Sequence, residues 1–164
     1  QNARLKAQLA ARHKRQCRLD NFRIDNVKIV NLLKDKQISK LVVSCLYLAE
    51  GGKKRSGSLC FGNSDPGIIK LFLYTLRKTY NVDELKFRCT LQCRADQDVK
   101  KLEAFWQKTT NINFKQFYHA QIDKRSIGKT TKKKDYKGVC RIDYLDGKVF
   151  DEIMVIGKVI CLEC

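Results

Sequence analysis

Between residues 84 and 94 the chain alternates strictly. Leu85, Phe87, Cys89, Leu91 and Cys93 fall on one side, and Lys86, Arg88, Thr90, Gln92 and Arg94 on the other. A period of two is that of a strand with one buried face. Elsewhere the apolar spacing is helical. Residues 38–50 (ISKLVVSCLYLAE) form an almost wholly apolar helix that stops at Gly51–Gly52. Ser64 or Asp65 caps a helix with Pro66 in its first turn and Ile68, Ile69, Leu71, Phe72 and Leu76 on its core face. Asp96 or Asp98 starts another, with Val99, Leu102, Phe105 and Trp106 turned inward. A closing helix over about 147–162 uses Val149, Phe150, Ile153, Ile156 and Val159.

The remaining segments complete the picture. Residues 57–63 read as a short strand, and two more strands fall at roughly 115–123 and 136–145, joined by the linker KRSIGKTTKKKD. Residues 2–17 are rich in Ala, Leu, Lys and Arg, which favour helix, but their apolar stripe is thin. Residues 22–34 contain Phe22, Ile24, Val27, Ile29, Val30, Leu32 and Leu33 and read as a more buried segment. The predicted order is therefore helices, then β-α-β-α-β-β-α. This is an α+β domain with a four-stranded antiparallel sheet closed by a hairpin. Residues 1–36 are expected to be a basic helical arm and 37–164 the folded domain.

Charge decides the kind of partner. The chain has 164 residues with 34 Lys and Arg against 17 Asp and Glu, a net +17. Such an excess repels itself unless a polyanion is present. Residues 115–141 hold nine basic and two acidic side chains, whereas 142–164 hold two and five, so the last helix should face away from that polyanion. No run of 18 apolar residues occurs, and the basic N-terminus lacks a following apolar stretch. Neither a membrane partner nor a secretory signal is expected, and an intracellular, cytoplasmic or nucleoid setting follows. The eight cysteines are then expected as thiols. Cys89 and Cys93 lie about 13 Å apart along a strand and cannot hold one zinc ion together.

The alternating strand offers one face to a core and the other to a partner. A sheet with Lys86, Arg88, Gln92 and Arg94 outward can lie on double-stranded DNA, its long side chains reaching base edges and phosphates. Lys132, Lys133 and Lys134, in the Gly/Thr-bearing linker, suit a mobile phosphate-gripping loop, and Lys124 and Arg125 are further candidates for phosphate contact. Arg141 on the last strand could turn to DNA or to the acidic final helix. His119 is a candidate base, though a single strand histidine more often contacts backbone or phosphate.

Glu50 stands at the C-terminal end of an apolar helix, where the macrodipole disfavours an acid. The residues leading to it, V-S-C-L-Y-L-A-E-G from Val43 to Gly51, resemble the motif of the LAGLIDADG homing endonucleases. They match it at the small third position (Cys45), at Leu46 and at the closing acid–glycine pair. NSDP (63–66) and YKGVCRI (136–142) are similar to segments of a bacterial, single-motif branch of that family. The sequence departs from the motif in having Cys45 for Gly, Leu48 where the family name has an acid, and Glu for Asp.

The resemblance implies a homing-endonuclease-like saddle sheet and a homodimer, because one chain supplies one acid motif. Two such helices would pack at a two-fold axis through Ser44, Cys45 and Ala49. Glu50 and Lys53 would serve catalysis, with Glu50 and Gly51 at Mg²⁺ or another divalent cation. Lys54 and Arg55 would lie against the same phosphates. The activity implied is metal-dependent double-strand cleavage of DNA. The alternative is a sequence-specific regulator on the same scaffold that does not cut.

Overall fold

A computed structural model describes residues 2–53, 57–133 and 135–163. Its first helix, α1 (Asn2–Asn26), runs 25 residues, about 37 Å, without burying one of them. The helix does not break near residue 17 as its composition suggested. It continues to Asn26 and passes into 3-10 turns over Val27–Lys34. The segment expected to be buried is open instead: Phe22, Ile24, Val27, Ile29, Val30 and Leu32 are all exposed.

The compact part begins at α2 (Lys36–Glu50), capped by Asp35, whose Oδ1 accepts the N–H of Gln37 at 2.7 Å and of Ile38 at 2.9 Å. Two more helices start in the same way. Asp65 caps α3 (Pro66–Thr79), accepting from the Gly67 amide with Pro66 in the first turn. Asp98 caps α4 (Val99–Thr110), which ends at Asn111 in the left-handed region. The last helix, α5 (Gly147–Glu163), begins on Asp146, whose carboxylate accepts from Lys148 and Val149.

The strands are β1 (Leu59–Asn63), β2 (Phe87–Arg94), β3 (Gln121–Asp123) and β4 (Val139–Tyr144), in the spatial order β1-β4-β2-β3. Their order along the chain and the α+β class are as the periodicity predicted. The sheet itself is mixed: β4 runs antiparallel to both β1 and β2, but β3 pairs with β2 in parallel. No β3–β4 hairpin forms. A tight hairpin closes over two to five residues, whereas the connection here is long enough to cross β2 and insert β4 on its other side.

One face of the sheet takes the helices. Leu59 and Phe61, Phe87, Cys89, Leu91 and Cys93, and Cys140, Ile142 and Tyr144 are all buried there. Phe61 stacks on Phe72 of α3 at 4.0 Å, and Trp106 of α4 is fully buried with its indole N–H on the Lys137 carbonyl. Leu85 departs from the alternation. It lies in a 3-10 turn, Glu84–Lys86, ahead of β2 and is 75% exposed.

Ser44 also departs from expectation. It is fully buried within the single chain, where α2 packs between α3 and α5, and its hydroxyl donates to the Lys40 carbonyl at 2.9 Å. Only Cys45 and Ala49 of the three expected seam residues are exposed. Ser44→Arg is therefore expected to unfold the chain, because a charge would be buried without a partner. A cooperative thermal transition at the wild-type temperature would contradict this.

Candidate nucleic-acid interface

The face of the sheet away from the helices is polar and built by register. On β2 it presents Arg88, Thr90, Gln92 and Arg94; on β4, Val139, Arg141 and Asp143; on β3, Gln121 and Asp123. Gln92 stands opposite Gln121, and Arg94 opposite Asp123. Gln92 and Gln121 are exposed, whereas Arg88, Arg94 and Arg141 are half-buried.

Several expected contacts are already engaged within the chain. Lys86 sits before the strand, and its ammonium binds Asp146 at 2.7 Å. That bond raises the lysine's pKa and lowers the carboxylate's. Arg88 folds back onto the carbonyls of Leu85 and Phe87. Arg141 stays on the outward face but is engaged within its own strand. Its guanidinium donates twice to one oxygen of Asp143, two positions along the same strand, while Asp143 Oδ2 is buried without a partner. Arg125 binds Asp123 at 2.9 Å and stays largely exposed. Lys124, Lys132 and Lys133 are exposed, and Lys54, Arg55 and Lys134 lie outside the described residues.

At the β3 end an open groove of about 1020 Å³ is lined by Arg94, Arg125, Lys129, Lys132 and Lys133 together with Gln92 and Gln121, among others. The linker that forms its rim is docked on the sheet end. Asp96 accepts the Thr131 N–H at 2.6 Å and its hydroxyl at 2.8 Å. Arg94 donates to the Lys129 carbonyl, Gln97 to that of Tyr136, and the Ala95 amide to the Ser126 hydroxyl. Gly138 closes the loop at φ +71, where a Cβ would lie 2.6 Å from the Gln92 carbonyl oxygen.

The two Thr131 donors hold Asp96 below the usual carboxylate range. A depressed carboxylate stabilises its contact above the unfolded pKa, and the contribution is lost as pH falls through the folded value. The latch should thus survive to pH values below about 3.9, the ordinary Asp pKa. Asp96→Ala is expected to abolish protection of the Thr131 amide at neutral pH. Hydrogen exchange unchanged at that amide would remove the latch.

Glu50 lies at the opposite edge. It is the last residue of α2 and exposed, and Gly51 after it pairs with Phe61 on the outer side of β1. The Tyr47 hydroxyl fixes this joint, donating to the Gly52 carbonyl at 2.8 Å and accepting from the Cys60 amide at 3.1 Å. Burial pushes the Tyr47 hydroxyl pKa up. Glycine is needed at 51 because a Cβ there would meet the Tyr47 ring and carbonyl within 2.6 Å. Lys53 follows and is exposed.

Glu50 and Lys53 thus share the β1 edge, and the groove occupies the β3 edge. Three strand intervals separate the edges, about 14 Å. Among the described residues, no three His, Cys, Asp or Glu side chains converge as a metal site. Gln121, Lys129 and the Asp96–Thr131 latch escaped sequence reasoning. Gln121 became part of the face only through the parallel β2–β3 register, which the expected hairpin concealed.

No family model, curated protein or solved structure matches this chain. Among the described residues, no helix is long and apolar enough to cross a membrane.

Proposed function

We propose that this protein binds double-stranded DNA on the outward face of its sheet and cuts it as a homodimer, in the manner of a single-motif LAGLIDADG endonuclease. One observation carries the reading. An exposed carboxylate, Glu50, is pinned at one edge of a polar sheet face whose other edge is a cation-lined groove. Among the described residues, Glu50 neither caps a helix nor binds Lys or Arg, whereas Asp35, Asp65 and Asp98 cap helices and Glu152 and Asp146 bind lysines.

Mg²⁺ or another hard divalent cation fits such an oxygen donor. Glu50, with Gly51 beside it, would hold the ion together with the Glu50 of a second copy. Bound there, the cation would lower the pKa of a coordinated water and stabilise the leaving oxygen. This chain's part is to hold the carboxylate at the sheet edge, with Lys53 beside the same phosphates. A polyanionic partner inside the cell, in cytoplasm or nucleoid, suits the net charge.

Dimerisation would use the exposed stripe of α2, where Ile38, Leu41, Cys45 and Ala49 recur at helical spacing; Ile38 and Leu41 are 37% and 45% exposed. Replacing Ala49 with Arg is expected to shift sedimentation from dimer to monomer without changing the circular dichroism spectrum. A wild-type chain that sediments as a monomer, both free and bound to DNA, would sink this seam.

The direct test selects bound duplexes from a random library and incubates them with wild-type protein and Mg²⁺. Double-strand products are expected. Tight, selective binding with no nicking would leave the non-cleaving regulator as the function.

A further inference from the structure

Gln92 and Gln121 are Cα partners in the one parallel pairing of the sheet, so their side chains leave the same face side by side. Both are exposed, and both line the groove. They touch through a single long hydrogen bond, Gln92 Nε2 to Gln121 Oε1 at 3.3 Å. A bond at that length on an exposed surface is cheap to exchange for another. Gln92 keeps its carbonyl oxygen and one N–H for a partner, and Gln121 keeps both N–H groups. Gly138 packs directly under the Gln92 carbonyl, which fixes where that residue stands.

A carboxamide's adjacent acceptor and donor match one base edge in the major groove. Its oxygen takes the adenine N6–H while its N–H donates to N7. Adjacent strands stand about 4.8 Å apart, and stacked base pairs about 3.4 Å. Two neighbouring amides therefore span one or two successive base pairs. The surrounding side chains suit the other half of recognition. Lys132 and Lys133 are exposed cations at the rim, able to hold phosphates and set the register of the duplex.

We propose that Gln92 and Gln121 determine sequence specificity by reading adenine at one or two successive A·T pairs in the major groove, while the lysines of the loop hold the backbone. This rests on the outward sheet face being the DNA surface.

The test compares the sequences that wild type, Gln92→Ala, Gln121→Ala and Gln92→Glu select from a random duplex library. Wild type is expected to enrich adenine at one or two neighbouring positions of each half-site. Either alanine variant should reduce that preference on the order of tenfold to a hundredfold. The salt dependence of binding, which counts phosphate contacts, should keep the wild-type slope. Gln92→Glu should turn the preference toward cytosine, whose N4 amino group donates to a carboxylate.

Identical selected profiles for wild type and the alanine variants would overturn the proposal while leaving DNA binding intact. Failure of wild type to bind any duplex would overturn both it and the reading beneath it.

Discussion

Glu50→Gln is expected to abolish cleavage, by on the order of a thousandfold or more, while DNA affinity in EDTA stays equal or rises. The opposite signs follow from one charge. A carboxylate near phosphates is repulsive until a cation bridges them, so removing it helps binding when no cation is present. With Mg²⁺ the same charge is what retains the ion. Glutamine keeps the shape and one hydrogen-bonding oxygen, and Glu50 is exposed, with no cap or ion-pair role among the described residues. The fold should therefore be unaffected. Cleavage and binding measured side by side, with and without Mg²⁺, decide it. Unimpaired cutting by the variant would take Glu50 out of the mechanism.

The second large effect is on affinity. A dimer making about six to ten phosphate contacts should lose about 10³- to 10⁵-fold in binding between 50 and 200 mM salt. The structure sorts the lysines that contribute. Lys132 is exposed at the groove rim, and Lys132→Ala should flatten the log–log slope by about one in each binding unit. Lys86 is bound to Asp146, and its removal should leave the slope unchanged. Titrations at four or five salt concentrations separate the two. A wild-type slope worth about two counterions would mean that this surface is not the DNA face.

What the sequence made legible was mostly local. The alternation of β2, the Asp65–Pro66 start of α3 and the order of elements were readable because each is set by neighbouring residues. Pairing was not. The period of a strand says which residues share a face, but not which strand lies beside it, so the parallel β2–β3 pairing was missed, and β3 spans three residues where a strand over 115–123 was expected. Its connection to β4 was long for a hairpin, and that length was the available signal.

Burial failed in both directions for a related reason. Apolar spacing over 22–34 marks a greasy segment without saying what covers it, and here α1 and the 3-10 turns leave it open. Ser44 is small enough for either a helix–helix seam between chains or a close contact within one, and the structure uses it for the second. The polar face was readable along β2 alone. Lys86 paired with Asp146 is a tertiary choice that no single strand reveals, whereas Arg141 paired with Asp143 is a local contact two positions along β4.

The two borders of the sheet have a consequence for how copies of this protein meet. Unpaired border strands recruit other chains by adding strands, the usual start of aggregation. Here one border is occupied by the chain's own Gly51, bridged to Phe61, and the Gly52 amide, bonded to the Cys60 carbonyl at 2.7 Å. The other is β3, three residues long and bearing Asp123, too short and too charged to template a growing ribbon. Strand addition is thus blunted on both sides. A protein with so much exposed apolar side chain on its helices is steered toward finite assemblies through those helices and away from open-ended fibres.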